Sequence, residues 1–136
     1  SEDYISAARI RFGAKGTFVT RAVTPDAVEG LGQFDVVIAL GVLHHLTDTE
    51  ADALFAIADK ALRPKGRVVT CDGAFVPSQN PFARVLLRLD RGRYVRTPDG
   101  YLAIARRRFP DATAQIVHDL LPIPYTHCII EGIKVA

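Results

Sequence analysis

The stretch Phe34-Asp35-Val36-Val37-Ile38-Ala39-Leu40 is apolar at every position but one and rich in β-branched residues. A run of that kind fits a parallel strand buried on both faces better than a half-exposed antiparallel strand, where polar residues alternate. Downstream, Thr47 and Glu50 form the S/T-x-x-E pattern, in which two side chains satisfy free amides at a helix start. Leu54, Ile57, Ala58, Ala61 and Leu62 then fall at helical spacing on one face, and Pro64 and Gly66 stop the helix. Arg67-Val68-Val69-Thr70-Cys71, short and β-branched, reads as a second buried strand. Strand, amphipathic helix, strand is the βαβ unit, which implies a right-handed crossover in a parallel sheet.

Working outward, Ser1 to Phe12 reads as a helix with Ile5, Ala8 and Phe12 inward and Gly13 as its cap. Thr17 to Thr20 reads as a further short strand. Beyond the βαβ unit, Asn80-Pro81 and Thr97-Pro98 each pair a capping side chain with proline at the first helical position. Phe82, Val85, Leu86 and Leu89 make one apolar stripe, and Leu102, Ala105 and Phe109 another. Between them lies a charged, non-periodic stretch from Asp90 to Arg96. Two more strands are expected at about Ala114 to Leu120 and Thr126 to Val135, joined through Pro122 and Pro124 as an antiparallel hairpin. An opening helix with no strand before it is odd in such a sheet, so the chain is expected to begin inside a larger domain.

Composition narrows the functional classes. The 136 residues are enough for one domain, or most of one, and 49% apolar against 24% charged is globular rather than disordered. A net charge of +2 implies neither a nucleic-acid nor a membrane surface. No apolar run approaches the roughly 18 residues that span a bilayer. Cys71 and Cys128 have no metal-type spacing and read as reduced thiols of a cytoplasmic protein.

Taken in order, Phe34 to Leu46, the Leu62-Arg63-Pro64-Lys65-Gly66-Arg67-Val68-Val69 turn and strand, the opening Ser1 to Arg9 helix and the C-terminal strand pair resemble class I S-adenosylmethionine-dependent methyltransferases. The resemblance covers nearly the whole chain. It implies an α/β fold: a Rossmann-like open, mostly parallel sheet with a C-terminal antiparallel hairpin, missing its first strands. It also implies one incomplete domain over 1–136, with 78–110 as a helical insertion or lid. The family's glycine-rich loop and the acid that holds the ribose lie upstream of the helix that begins here. Gly30-Leu31-Gly32 is no substitute, since it precedes a strand. The implied activity is methyl transfer from S-adenosyl-L-methionine to a small-molecule acceptor. By resemblance Ala39, Leu40 and Gly41 border the methionine end of the cofactor, although a glycine there also simply eases a turn. Ala22 and Val23 fall near the adenine; Arg21 stands where the family often has an acid, so main chain makes that contact.

Ligands of open parallel sheets gather outside the carboxyl ends of the strands. His44 and His45 follow the first such end, and for a hydroxyl acceptor one imidazole there serves as the base. Adjacent residues seldom point the same way, so at most one faces the site; the plainer alternative is a histidine packed beneath the loop. Asp72, at the second strand end, either contacts substrate or caps the following loop. Arg91, Arg93 and Arg96 read either as a lid for an acidic acceptor or as a solvated loop with Asp90 paired locally. Arg106 to Arg108 are the basic last turn of a helix. His127 and Cys128 face opposite sides of a strand and form no dyad, and His118 reads as a satisfied sheet residue. No metal site is expected. The rival functions are a binding module on part of the same fold and a nicotinamide-dependent dehydrogenase, which the terminal hairpin and the absence of a tyrosine four residues before a lysine disfavour.

Overall fold

In the computed structural model, which describes residues 1–29, 31–90 and 92–135, the strand that decides the fold is β1 (Phe34–Leu40). It is followed by α3 (Asp48–Ala61) and β2 (Leu62–Gly73), with α1 (Glu2–Phe12) and α2 (Pro25–Glu29) ahead of it. Helices α4 (Pro81–Leu89) and α5 (Pro98–Ala105) precede the hairpin of β3 (Thr113–Val117) and β4 (His127–Ile133). The sheet order is β1-β2-β4-β3. β1 and β2 are parallel, in register from Val36↔Arg67 to Leu40↔Cys71. α3 is therefore the expected crossover of a βαβ unit. β4 enters beside β2 and runs antiparallel to both β2 and β3. The sheet is thus open and mixed: its parallel part is the β1–β2 pair, and the hairpin supplies the rest.

Helix α3 begins as its sequence dictates. The Thr47 hydroxyl accepts from the Glu50 amide, and Glu50 Oε2 accepts from the Thr47 amide at 2.8 Å. The Thr47 hydroxyl also donates to Glu50 Oε2 at 2.7 Å, and that bond, then the one from the Thr47 amide, holds the Glu50 carboxyl below its ordinary range. The helix lays Ala51, Phe55 and Ala58 on the sheet. Together with Leu43, Val68, Tyr101, Ile104, Phe109, Cys128 and Ile130 they form the core, between one sheet face and helices α3 and α5. Small and large side chains interlock there: Phe55 and Phe109 meet edge-on at 6.2 Å between ring centroids. On β4, a Cβ at Gly132 would lie 2.7 Å from Phe109 Cβ, so only glycine lets α5's trailing aromatic reach the sheet.

Four local readings need correction. β1 is not buried on both faces. Val37 packs against the core, whereas Val36, Ile38 and Leu40 are exposed, because no described element covers that face of the strand. Thr17 to Thr20 joins no ladder; the Phe18 carbonyl instead accepts both Nε and Nη2 of Arg9. Helix α1 buries nothing, and its Phe12 stacks on Phe18 rather than on a sheet. Finally, α4 turns Ala83 and Leu87 inward and leaves Phe82, Val85 and Leu89 exposed, since the space beneath it against Gly73 admits only the other side of the helix. Both proline-led helix starts are as expected, with Asn80 capping Phe82 and Thr97 capping Gly100. The Gly30 part of the Gly30-Leu31-Gly32 motif lies outside the described residues.

Phe55 is fully buried at the centre of this packing. Phe55→Ala is expected to cost about 3–5 kcal/mol through lost transfer energy plus a cavity. Urea unfolding followed by circular dichroism measures it.

Candidate active site at the ends of the parallel strands

At the carboxyl end of β1 the chain leaves the sheet through Gly41, whose φ of 65° lies in the left-handed region that glycine enters without strain. Its amide still bonds the Cys71 carbonyl at 2.9 Å, so the turn begins one residue past the strand. A short helical turn, Leu43–His45, follows and buries Leu43 and His44. One strand over, Asp72 is 2% exposed, so its carboxylate is out of water. It is neither a cap for the loop that follows nor open to solvent. Asp72 Oδ1 accepts the His44 amide at 3.2 Å and lies 2.7 Å from His44 Nδ1. An ionised carboxylate has no proton to give, so Nδ1 carries the hydrogen, and in the neutral imidazole the lone pair falls on Nε2. Buried charge is tolerated only with such partners. Asp72 Oδ2 has no hydrogen-bond partner among the described residues.

His44 borders a pocket of about 510 Å³ together with Leu40, Gly41, Asp90, Ile123, Tyr125 and His127. The hairpin supplies its far wall. The Tyr125 hydroxyl donates to Asp90 Oδ2 at 2.6 Å, and the same oxygen lies 3.9 Å from His44 Nε2. Burial, then the Asp90 contact and its charge, push the Tyr125 phenol well above the usual tyrosine range. The His127 ring tilts against Tyr125 at 4.8 Å. Burial pushes the His127 imidazole down, toward its neutral form, and its Nδ1 has no partner among the described residues. His45, beside His44 with ring centroids 4.1 Å apart, is exposed and lines no part of the pocket. The two adjacent rings thus lie against each other, but only His44 is buried and borders the pocket.

A second recess of about 560 Å³ lies on the other side of Leu40. It is mostly apolar, with Val23, Ala39, Leu46, Leu54 and Ile57 among its walls beside Glu50. Val23, Ala39 and Leu40, three of the positions expected near a cofactor, share this groove, while Gly41 borders the His44 pocket. Ala22 is exposed and lines neither. The charged stretch is partly explained. Arg96 is turned into the protein, Arg93 is exposed, and Arg91 lies outside the described residues. Asp90 pairs with Tyr125, distant in sequence. Tyr125 and His127 are not legible as site residues, since only the return of β4 beside β2 brings them there, and Asp90 reaches it from the end of α4.

The fold recurs in solved proteins. The chain aligns over its whole length with the N-methyltransferase NodS from Bradyrhizobium japonicum, at 16% identity and a TM-score of 0.64, spanning 70% of that protein. It aligns over 96% of its length with the S-adenosylmethionine-dependent methyltransferase SibL, at 15% identity, TM-score 0.67 and 40% of that chain. With human N-acetylserotonin methyltransferase, solved in complex with S-adenosylmethionine, it shares 18% identity and a TM-score of 0.58 over 75% of its length. The chain spans only 30% of that human enzyme. No protein-family model and no curated protein matches the sequence. The chain has the class I methyltransferase fold.

In this methyltransferase fold the His44–Asp72 pair sits where the parallel strands end, the position at which open α/β sheets collect ligands. Among the described residues no three His, Cys, Asp or Glu side chains group to hold a metal, and no helix is long and apolar enough to cross a membrane. The two thiols are set low in reactivity. Burial, with the Asp72 charge beside it, pushes the Cys71 thiol up, and pushes Cys128 up to about 12. Because the thiolate is the nucleophile, alkylation at pH 8 is expected to be slow at Cys71 and absent at Cys128 until the protein is unfolded. Mass spectrometry before and after denaturation checks the order.

Proposed function

We propose that this chain carries the methyl-transfer site of an S-adenosylmethionine-dependent enzyme acting on a small hydroxylated molecule, with His44 as the general base. The observation that carries the reading is the His44–Asp72 pair, which fixes the imidazole through Nδ1 at the border of a pocket next to an apolar groove. The residues present fit the cofactor's two characters. Val23, Ala39 and Leu40 offer an apolar recess suited to a purine. Gly41 leaves the adjoining mouth open, because a Cβ there would meet only His44 Cε1, at 3.8 Å. When bound, the cofactor supplies an electrophilic methyl group on a sulfonium.

The chain's own part is to hold the acceptor and to take its proton. A hydroxyl in the pocket, within hydrogen-bond reach of His44 Nε2, would give up its proton to that nitrogen as it becomes a nucleophile. The charge formed on the imidazole is then stabilised through Nδ1 by Asp72, which is already oriented for it. Leu40, Leu121 and Ile123 give the pocket apolar walls that thin out water around the reacting oxygen. Positioning supplies most of the acceleration in such a displacement, since no covalent intermediate with the protein is needed.

Two measurements test the reading. Calorimetric titration is expected to give heat with S-adenosylmethionine or S-adenosylhomocysteine and none with a nicotinamide dinucleotide. In methyl-transfer assays on small phenols and alcohols, His44→Gln is expected to lower turnover by about 10²–10⁴-fold, with cofactor affinity kept and His45→Gln near wild type. Heat only with the dinucleotide, or full turnover in the His44 variant, would sink it.

A further inference from the structure

Arg96 lies far from both strand ends in sequence, yet every donor of its guanidinium has an acceptor inside the chain. Nε and Nη2 both donate to Asp48 Oδ1, at 3.0 and 2.7 Å. Nη2 also reaches the Leu46 carbonyl at 2.7 Å. Nη1 reaches the Leu43 carbonyl at 2.9 Å and the Tyr94 carbonyl at 3.0 Å. An arginine has five N–H donors in a fixed planar fork, and here all five are engaged. Its side chain is 11% exposed and lies 5.7 Å from the Tyr101 ring centroid. No donor is left for an acidic acceptor.

The acceptors share one property. Leu43 and Leu46 bracket the turn that carries His44, and Asp48 opens the helix behind it. The same strand of chain also grips the turn by its backbone. The Tyr94 amide donates to the His44 carbonyl at 3.0 Å, and Gly92 lies so near that a Cβ would come within 2.2 Å of His44 Cδ2. Arg96 is in turn anchored at the end of β2, where its carbonyl accepts the Phe75 amide at 3.1 Å and it bridges Ala74. The Tyr101 hydroxyl, 3.4 Å from the Arg96 amide, donates to the Gly73 carbonyl. The turn holding His44 and the strand end holding Asp72 are thus clamped to each other through one residue, its side chain on the turn and its main chain on the strand end.

We infer that Arg96 is a positioning residue, a brace that fixes the Leu43–His45 turn against the end of β2 so that His44 stays on Asp72 with Nε2 presented to the pocket. This deepens the methyl-transfer reading and rests on it for its catalytic meaning, but the geometry it describes is independent of cofactor. A lysine keeps the charge and loses the fork, with three donors on a flexible stem in place of five in a plane.

The test is long-range proton–nitrogen spectroscopy of the His44 ring in the ¹⁵N-labelled protein, comparing wild type, Arg96→Lys, Asp48→Ala and, as a control on an exposed arginine, Arg107→Lys. Wild type and the control are expected to show one neutral tautomer, protonated at Nδ1. Arg96→Lys is expected to show a mixture of both tautomers and a shifted His44 titration midpoint. Asp48→Ala, which removes two of the five contacts at an exposed site and so leaves folding less exposed to failure, is expected to show a smaller mixture. A single tautomer with an unchanged midpoint in both variants overturns the brace, whatever their turnover. In methyl-transfer assays Arg96→Lys is expected to lower kcat about tenfold to 100-fold with KM little changed. If the tautomer mixes while His44→Gln turns over normally, the brace stands and the assignment of His44 as base falls.

Discussion

A carboxylate buried at the end of a parallel strand must be solvated by the protein itself, and Asp72 meets that demand with His44. Removing one charge from water costs several kcal/mol unless hydrogen bonds replace the lost hydration. Asp72 Oδ1 takes two of them from one residue, the amide and Nδ1 of His44. The demand runs in the other direction as well. To deliver both donors, the chain leaving β1 must turn back within a few residues, which Gly41 permits and the short Leu43–His45 turn completes. The site is therefore a consequence of β1 and β2 ending together: their register, Leu40 opposite Cys71, places the exits side by side.

The hairpin closes what the parallel pair opens. β4 pairs with β2 as far as Gly73↔His127, so the residues just before β4 fall at the mouth of the pocket. That register carries Tyr125 to Asp90 and His127 to the rim. A Cβ at Gly73 would lie 2.5 Å from Leu87 and 2.6 Å from the Tyr125 hydroxyl. A glycine at the strand's last position is thus what lets α4 and the Tyr125 ring converge on the same point. The core on the α3–α5 face and the pocket at the strand ends are built from the same alternation along β2: Val68 and Thr70 go to the core, and Asp72, next in step, reaches the site.

The parts of this architecture that were legible in sequence are those written in local code. The strand at Phe34–Leu40, the capping box at Thr47 and Glu50 and the proline-led helices at Asn80 and Thr97 each announce themselves within a few residues. So did the strand end bearing His44. What failed was inference from apolarity to burial. β1 and α4 are apolar enough for a core, yet Ile38 and Leu40 on one, and Phe82, Val85 and Leu89 on the other, are exposed, because burial depends on what lies opposite. Charge misled in the converse way. Arg96 looked like a free cation in a polar loop, whereas its partners are carbonyls about fifty residues upstream that no local pattern marks. Likewise Asp72 read as a cap for the next loop, since its partner, His44, becomes a neighbour only once the parallel pair forms.

Gly41 joins these levels. Its φ of 65° is a condition of the turn, so a side chain there would strain the backbone whatever space surrounds it. That space is open apart from the His44 ring, 3.8 Å from where a Cβ would sit. Any larger residue would thus stand beside the imidazole in the pocket mouth and, at the same time, pull the turn that keeps Nδ1 on Asp72. Leu40, immediately before it, borders both the apolar groove and the His44 pocket. A group passing from one recess toward the other must cross this two-residue sill. The constraint that shapes the turn and the constraint that keeps the passage clear are then the same missing Cβ.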